Sequence, residues 1–176
     1  MDEKKLKETI RTISHWPKPG IMFRDITTLI QNPAAFQYCI QRLKEQYEQR
    51  GITSIAGIES RGFIFGAALA YEMRLPFILI RKKGKLPGAK ISQEYDLEYG
   101  TDVIELHQDA VKQGDTILLI DDLIATGGTA LAACKLIEKL GGLVAGCAFI
   151  INLPELKGKE KLKQYEVFHL VEFAGH

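Results

Sequence analysis

The chain has 176 residues, 46% of them hydrophobic and 26% charged, with a formal net charge of +1, so a single domain with a sizeable core is expected and general polyanion binding is disfavoured. No stretch approaches the roughly 20 apolar residues that span a bilayer, and MDEKKLKETIRTI lacks the apolar centre of a signal peptide, which points to a cytoplasmic protein without membrane or nucleic-acid partners. Cys39, Cys134 and Cys147 are widely spaced and the four histidines form no HxH or HExxH pattern, so buried inert thiols are expected and a protein metal site is not.

A short N-terminal helix precedes HWPKPGIMFRD (15–25), whose two prolines and glycine predict an extended or turning segment. Phe36, Ile40, Leu43 and Tyr47 recur at helical spacing through 34–50, before Gly51 stops the run. SIAGI (54–58) reads as a strand, Phe63 to Met73 as a buried helix, and PFILI (76–80) as the next strand. KKGKLPGAKISQEYDLEYG (82–100) is long for a connection, polar and rich in glycine; a mobile lid is expected, with a β-hairpin as the alternative for part of it. TILLI (116–120) leads to a helix from Thr129 to Leu140, closed by Gly141 and Gly142, and then to a strand at GCAFII (146–151). The lysine-rich KGKEKLK (157–163) reads as a solvated face. Strands alternating with helices predict βαβ units, a parallel sheet and the α/β class.

The stretch ILLIDDLIATGGTA (117–130) concentrates the chemistry. In an open parallel sheet ligands sit beyond the carboxyl ends of strands, and Asp121 and Asp122 are expected where the strand from Thr116 ends. Ala125, Thr126, Gly127, Gly128 and Thr129 then supply permissive glycines, two hydroxyls and a helix N-terminus, a combination suited to one phosphate. The GxxxxGK[ST] and GxGxxG patterns are absent. Carboxylates in contact with a phosphate repel it, so the pair is expected to accept hydrogen bonds from adjacent hydroxyls or to order a hydrated Mg²⁺; a ribose 5-phosphate satisfies both halves. Glu59, Ser60, Arg61 and Gly62 follow the 54–58 strand in a similar way, giving a second anion site, with a Ser60 helix cap as the alternative. Arg81, Lys82, Lys83 and Lys85 cluster without an intervening acid, which suits pyrophosphate or a plain solvated face.

These motifs carry a resemblance. LLIDDLIATGGTA resembles the phosphoribosyl pyrophosphate (PRPP) loop of the type I phosphoribosyltransferases. PGIMFRDIT (19–27), ESRGFIFGAALA (59–70), IRKKGKLPG (80–88) and LEYG (97–100) resemble the adenine-specific members in matching order, over residues from about 12 to 153. The resemblance implies a type I phosphoribosyltransferase fold: one α/β domain over 1–176 with a central, mostly parallel sheet flanked by helices, a small N-terminal hood (about 1–33) and a flexible lid (about 82–100). It implies transfer of the phosphoribosyl group of PRPP to adenine, giving AMP and pyrophosphate in purine salvage, by a cytoplasmic homodimer. Mg²⁺ is then held mainly by PRPP and water, with no protein cage.

By the same resemblance Asp121 and Asp122 serve the ribose hydroxyls and the metal surroundings, and Ala125 to Thr129 bind the 5-phosphate of PRPP and of AMP. Ser60, Arg61, Arg81, Lys82 and Lys85 meet the pyrophosphate. Met22, Phe23 and Arg24 recognise adenine by stacking and backbone groups. Glu98 is the implied general base and Tyr99 its companion in the lid, while Glu94 and Tyr95 form a similar pair four residues earlier. His15, His107 and His169 receive no role. Two other readings stand beside this one: transfer to another purine such as xanthine, because the PRPP loop does not read the base, and a PRPP-sensing regulator of the same fold, which a basic face would have favoured.

Overall fold

The structure, a computed structural model, describes residues 1–96 and 100–175. It opens with α1 (Glu3–Glu8), two short strands, β1 (Arg11–Ser14) and β2 (Met22–Asp25), then α2 (Thr27–Ile30) and α3 (Pro33–Tyr47). Helix α3 starts where Asn32 accepts the Ala35 N–H at 3.2 Å and Pro33 presets the first turn. Its Cys39, Leu43 and Tyr47 are fully buried. The chain continues through β3 (Ser54–Ile58), α4 (Arg61–Met73), β4 (Phe77–Lys82), β5 (Lys90–Asp96), β6 (Thr101–His107), β7 (Thr116–Ile124) and α5 (Gly128–Lys139). It closes with β8 (Leu143–Asn152), a 3₁₀ turn (Pro154–Leu156), α6 (Gly158–Lys161) and β9 (Val167–Glu172).

Seven strands form one sheet in the order β5-β6-β4-β3-β7-β8-β9, while β1 and β2 make a separate antiparallel ribbon. The pairs from β4 through β9 are parallel, and the β5–β6 hairpin joins the β4 edge antiparallel. Helices cover both faces. Leu118 and Ile120 pack with Leu43, Phe65 and Leu69, whereas Ile117 and Leu119 pack with Cys134, Leu136 and Ile137 of α5. Alternation along a strand buried on both sides explains the unbroken apolar run before the aspartates.

Three expectations change. Strand β7 continues past residue 120, because Leu123 and Ile124 still pair with Ile151 and Asn152 of β8; Asp121 and Asp122 therefore lie inside the strand. The 82–100 segment takes the hairpin alternative over much of its length, with every residue from Lys90 to Asp96 paired to β6. The lysines of KGKEKLK are exposed as expected, yet Gly158 and Leu162 are buried, so the segment packs onto the body. All three cysteines are buried. Among the described residues no helix is long and apolar enough to cross a membrane.

Helix α4 reaches β7 through Gly62, where an added Cβ would stand 2.7 Å from the Ile120 carbonyl oxygen and 3.1 Å from the Asp121 Cα. Gly62→Ala must push the helix off the strand, a form of overpacking that costs about 1–3 kcal/mol. The expected result is a lower urea midpoint with an unchanged slope, measured by equilibrium unfolding.

Candidate active site

Strands β3 and β7 are neighbours, but the chain continues from β3 to β4 on one side and from β7 to β8 on the other. Loops leaving adjacent parallel strands in opposite directions open a crevice at the carboxyl ends. The loop after β7 turns into α5 at Gly127, which has φ +76° and where a Cβ would stand 2.6 Å from the Gly158 carbonyl oxygen. Both the dihedral and the close approach require glycine. No side chain caps the first turn of α5, so its N–H groups stay available to an anion. A cavity of about 210 Å³ brings the loop from Ala125 to Thr129 together with Asp121, Asp122 and Arg61.

The two acids sit differently. Asp122 is 2% exposed, and its Oδ2 lies 2.9 Å from Arg61 Nε. Asp121 is half-buried, and its Oδ1 accepts the Asp122 N–H at 2.8 Å. Burial, and then the charge of Asp122, push the Asp121 carboxyl well above the usual carboxylate range. Burial also raises Asp122, against the opposing pull of Arg61. Ser60 makes no capping hydrogen bond at the start of α4, so the cap alternative fails there.

The basic run is anchored by carboxylates from elsewhere in the chain. Glu59 Oε2 lies 3.2 Å from Arg81 Nε and accepts the Lys82 N–H at 2.8 Å, while Arg81 Nη1 donates to the Lys85 carbonyl at 3.2 Å. Burial alone would raise the Glu59 pKa; the Lys82 N–H and the Arg81 guanidinium outweigh it, and the net shift is downward. Glu105, itself buried, accepts the Gly84 N–H at 3.0 Å and so pins the tip of the run. Lys82 Nζ lies 3.2 Å from Asp102 Oδ2, which also accepts the Tyr95 hydroxyl at 3.2 Å. Lys83 and Lys85 remain exposed. Arg81, Lys82 and Lys85 therefore share one scaffold, and Glu59 from the second anion loop, with Asp102 and Glu105 of β6, builds it.

A second cavity of about 260 Å³ adjoins the first, with Arg61 lining both. Its walls include Met22 and Phe23 of β2 together with Leu123, Leu153 and Leu156. The edge of Trp16 packs against Phe23 with ring centroids 4.4 Å apart, and the Arg61 guanidinium lies 5.5 Å from the Phe23 centroid. Apolar walls beside main-chain donors and acceptors suit a flat heteroaromatic ring. Arg24 also lines this slot, but its guanidinium is bonded elsewhere, to Thr12 Oγ1 at 2.7 Å and to the Ala174 carbonyl at 3.1 Å. Leu123, Leu153 and Leu156 escape a sequence reading because an apolar wall residue looks like any core residue. Glu98 and Tyr99 lie outside the described residues. His15 accepts the Gly20 N–H at 3.1 Å and His169 pairs with Glu172 at 3.0 Å; neither lines either cavity. Among the described residues no group of three or more His, Cys, Asp or Glu could hold a metal ion.

The family model for the phosphoribosyl transferase domain matches residues 25–175. An adenine phosphoribosyltransferase from Desulfosudis oleivorans is 53% identical over 170 residues, covering 97% of this chain and 98% of that one. Among solved structures, the adenine phosphoribosyltransferase of Rhodothermus marinus superposes with a TM-score of 0.93 at 45% identity, covering 97% of this chain and 98% of that chain. The enzyme from Saccharomyces cerevisiae, complexed with an imino-altritol bisphosphate and adenine, superposes with a TM-score of 0.90 at 38% identity, with coverage of 96% and 97%.

The raised acid in the crevice has a measurable cost. A carboxyl whose pKa is higher in the folded chain keeps its proton where the unfolded chain has already released it, so folding binds protons and stability falls as pH rises above the ordinary carboxylate range. Asp121→Asn keeps the acceptor for the Asp122 N–H and removes the charge. Its melting temperature is expected to exceed that of the parent by about 2–4 °C per kcal/mol of penalty removed. The gain should grow from about pH 4 upward, and calorimetric melts across that range test it.

Proposed function

The chain belongs to the phosphoribosyltransferase family, in its adenine-specific branch, and is an enzyme of purine salvage that makes AMP and pyrophosphate from adenine and PRPP; we propose the following division of labour within its site. The reading rests above all on the meeting, at the ends of β3 and β7, of a phosphate-sized nest, paired carboxylates and an apolar slot. Ala125 to Thr129 hold the 5-phosphate of PRPP and of AMP on the free N–H groups of α5. Asp121 and Asp122 accept hydrogen bonds from the ribose hydroxyls. Arg61, Arg81, Lys82 and Lys85, with the Ser60 backbone, neutralise pyrophosphate as it leaves C1 and the sugar acquires oxocarbenium character.

Adenine enters the second cavity, stacks on Phe23 and meets main-chain groups of Met22 and Arg24. Residues 1–33 act as the hood carrying that wall, and residues 82–100 as the lid. Glu98 serves as general base for the adenine N9 proton and Tyr99 closes beside it, which limits hydrolysis of PRPP. Two carboxylates, one of them paired to Arg61 and with no group of three or more metal-ligating side chains among the described residues, suit a metal reached through water better than direct capture. Mg²⁺ bound to PRPP and water supplies charge neutralisation at the pyrophosphate. The enzyme acts in the cytoplasm.

It works as a homodimer. Ile64, Ala67 and Tyr71 share one face of α4 by helical spacing and are exposed, Tyr71 at 86%, and Leu79 of β4 is exposed at 41%. A second copy covering this strip removes apolar surface from water. Sedimentation is expected to give twice the 19.7 kDa chain mass.

The functional test offers adenine, hypoxanthine, guanine and xanthine separately with PRPP and Mg²⁺, following nucleotide and pyrophosphate together. AMP from adenine, with the oxopurines at least about a hundredfold poorer in kcat/KM, is expected, since a site that pairs an amino group rejects the carbonyl analogue. Reaction with xanthine instead would keep the PRPP nest and overturn the assignment of the slot.

A further inference from the structure

The adenine slot is built from parts far apart in the chain. Phe23 belongs to the two-stranded ribbon, which shares no ladder with the main sheet, whereas Leu153 and Leu156 flank and enter the 3₁₀ turn after β8. Residues 173–175 touch both. On the ribbon side, Arg24 Nη2 donates to the Ala174 carbonyl at 3.1 Å and to the Gly175 carbonyl at 3.4 Å, and the guanidinium lies 4.6 Å from the Phe173 ring centroid. On the other side, the Gly175 N–H donates to Glu155 Oε1 at 2.9 Å and the Phe173 N–H to the Asn152 carbonyl at 3.1 Å. Arg24 is 8% exposed, and Nη1 reaches across the ribbon to Thr12 Oγ1 at 2.7 Å. A guanidinium buried this deeply is held in place by those acceptors, because moving it strands both the cation and the carbonyls.

We propose that residues 173–175 form a strap that fixes the width of the adenine slot, with Arg24 and Glu155 as positioning residues at its two ends. The proposal rests on the assignment of that cavity to adenine. Neither side chain needs to touch the base: Arg24 holds the backbone that carries Phe23, and Glu155 holds the turn that carries Leu156. The nest for the 5-phosphate lies on β7 and α5 and packs on Gly158, beyond the turn held by Glu155, so Arg24, which meets only the ribbon and residues 173–175, is the end whose release separates strap from phosphate binding. The side-chain charge of Arg24, next to a base pocket that has no use for a cation, thereby acquires a role.

The test is steady-state kinetics of Arg24→Met, Glu155→Ala and the double variant. In Arg24→Met the KM for adenine is expected to rise about five- to twentyfold, the scale of a lost charge-assisted hydrogen bond felt at one remove. The KM for PRPP should stay within about twofold and kcat should change little, the pattern of lost ground-state positioning. Glu155→Ala should move the same constant in the same direction. Because either change releases the strap, the double variant should be no worse than Arg24→Met alone, a non-additivity that two unrelated defects do not give. Arg24→Lys, which retains one donor, should recover part of the loss. An unchanged adenine KM in both single variants overturns the strap, and so does a parallel rise in the PRPP constant. If the parent chain makes no AMP at all, the assignment of the cavity fails instead.

Discussion

The crevice depends on the register in which β7 lies beside β3. With Ser54 opposite Ile117 and Gly57 opposite Ile120, β3 ends beside Asp121 while β7 continues along β8 to Ile124. Their continuations then separate, one into α4 at Arg61 and the other through Asp121 and Asp122 into α5. A one-residue slip would turn every side chain of β7 to the opposite face. Such a slip is opposed on both sides of the sheet, because Ile117 to Ile120 are all fully buried and pack against different helices. The contact between Arg61 and Asp122 is therefore a consequence of strand pairing, and it ties the two loops across the crevice.

The basic loop obeys a second constraint. Four cations within five residues repel one another, and an unsupported loop would spread them into solvent. Glu59, just past β3, and Asp102 and Glu105 of β6 counter this, and two of them also accept backbone N–H groups at Lys82 and Gly84. Backbone anchoring matters more than the ion pairs here, because exposed lysine pairs contribute little while a buried carboxylate on an N–H fixes chain direction. Arg81 and Lys82 are thus presented from a rigid edge, whereas the exposed Lys85 side chain retains its freedom.

What the sequence disclosed follows the physics of each element. SIAGI and GCAFII are buried on both faces and PFILI on one, with Leu79 exposed, so their strands stand out as apolar runs, and the α3 periodicity survives because one face is fully buried. Strand β6 leaves no such mark: TDVIELH mixes carboxylates with aliphatics, and its acids face Lys82, Lys90 and the Gly84 N–H, a purpose visible only after folding. The end of β7 was misplaced for a related reason, since aspartates read as strand breakers while Leu123 and Ile124 hold the ladder with β8. The nest was legible because glycines and hydroxyls are local signals. Of the second cavity, only Met22 and Phe23 carry a local mark, since Leu153 and Leu156 are brought to it by tertiary structure.

The position of the acids reflects which effect wins in β7. Burying ionised carboxylates costs several kcal/mol each after relaxation, and a single Arg61 at 2.9 Å from one of them offsets only part of that. The four aliphatic side chains just before them, Ile117 to Ile120, are completely buried, and each contributes about 1.5–3 kcal/mol. A strand with less apolar burial could not hold two acids within the last rungs of its ladder, ahead of Leu123 and Ile124, without fraying there. The same low-dielectric setting that raises Asp121 and Asp122 strengthens the polar contacts made within the crevice. Stability given up at the crevice is therefore not an incidental loss: it accompanies the placement of two acids beside the free N–H groups of α5.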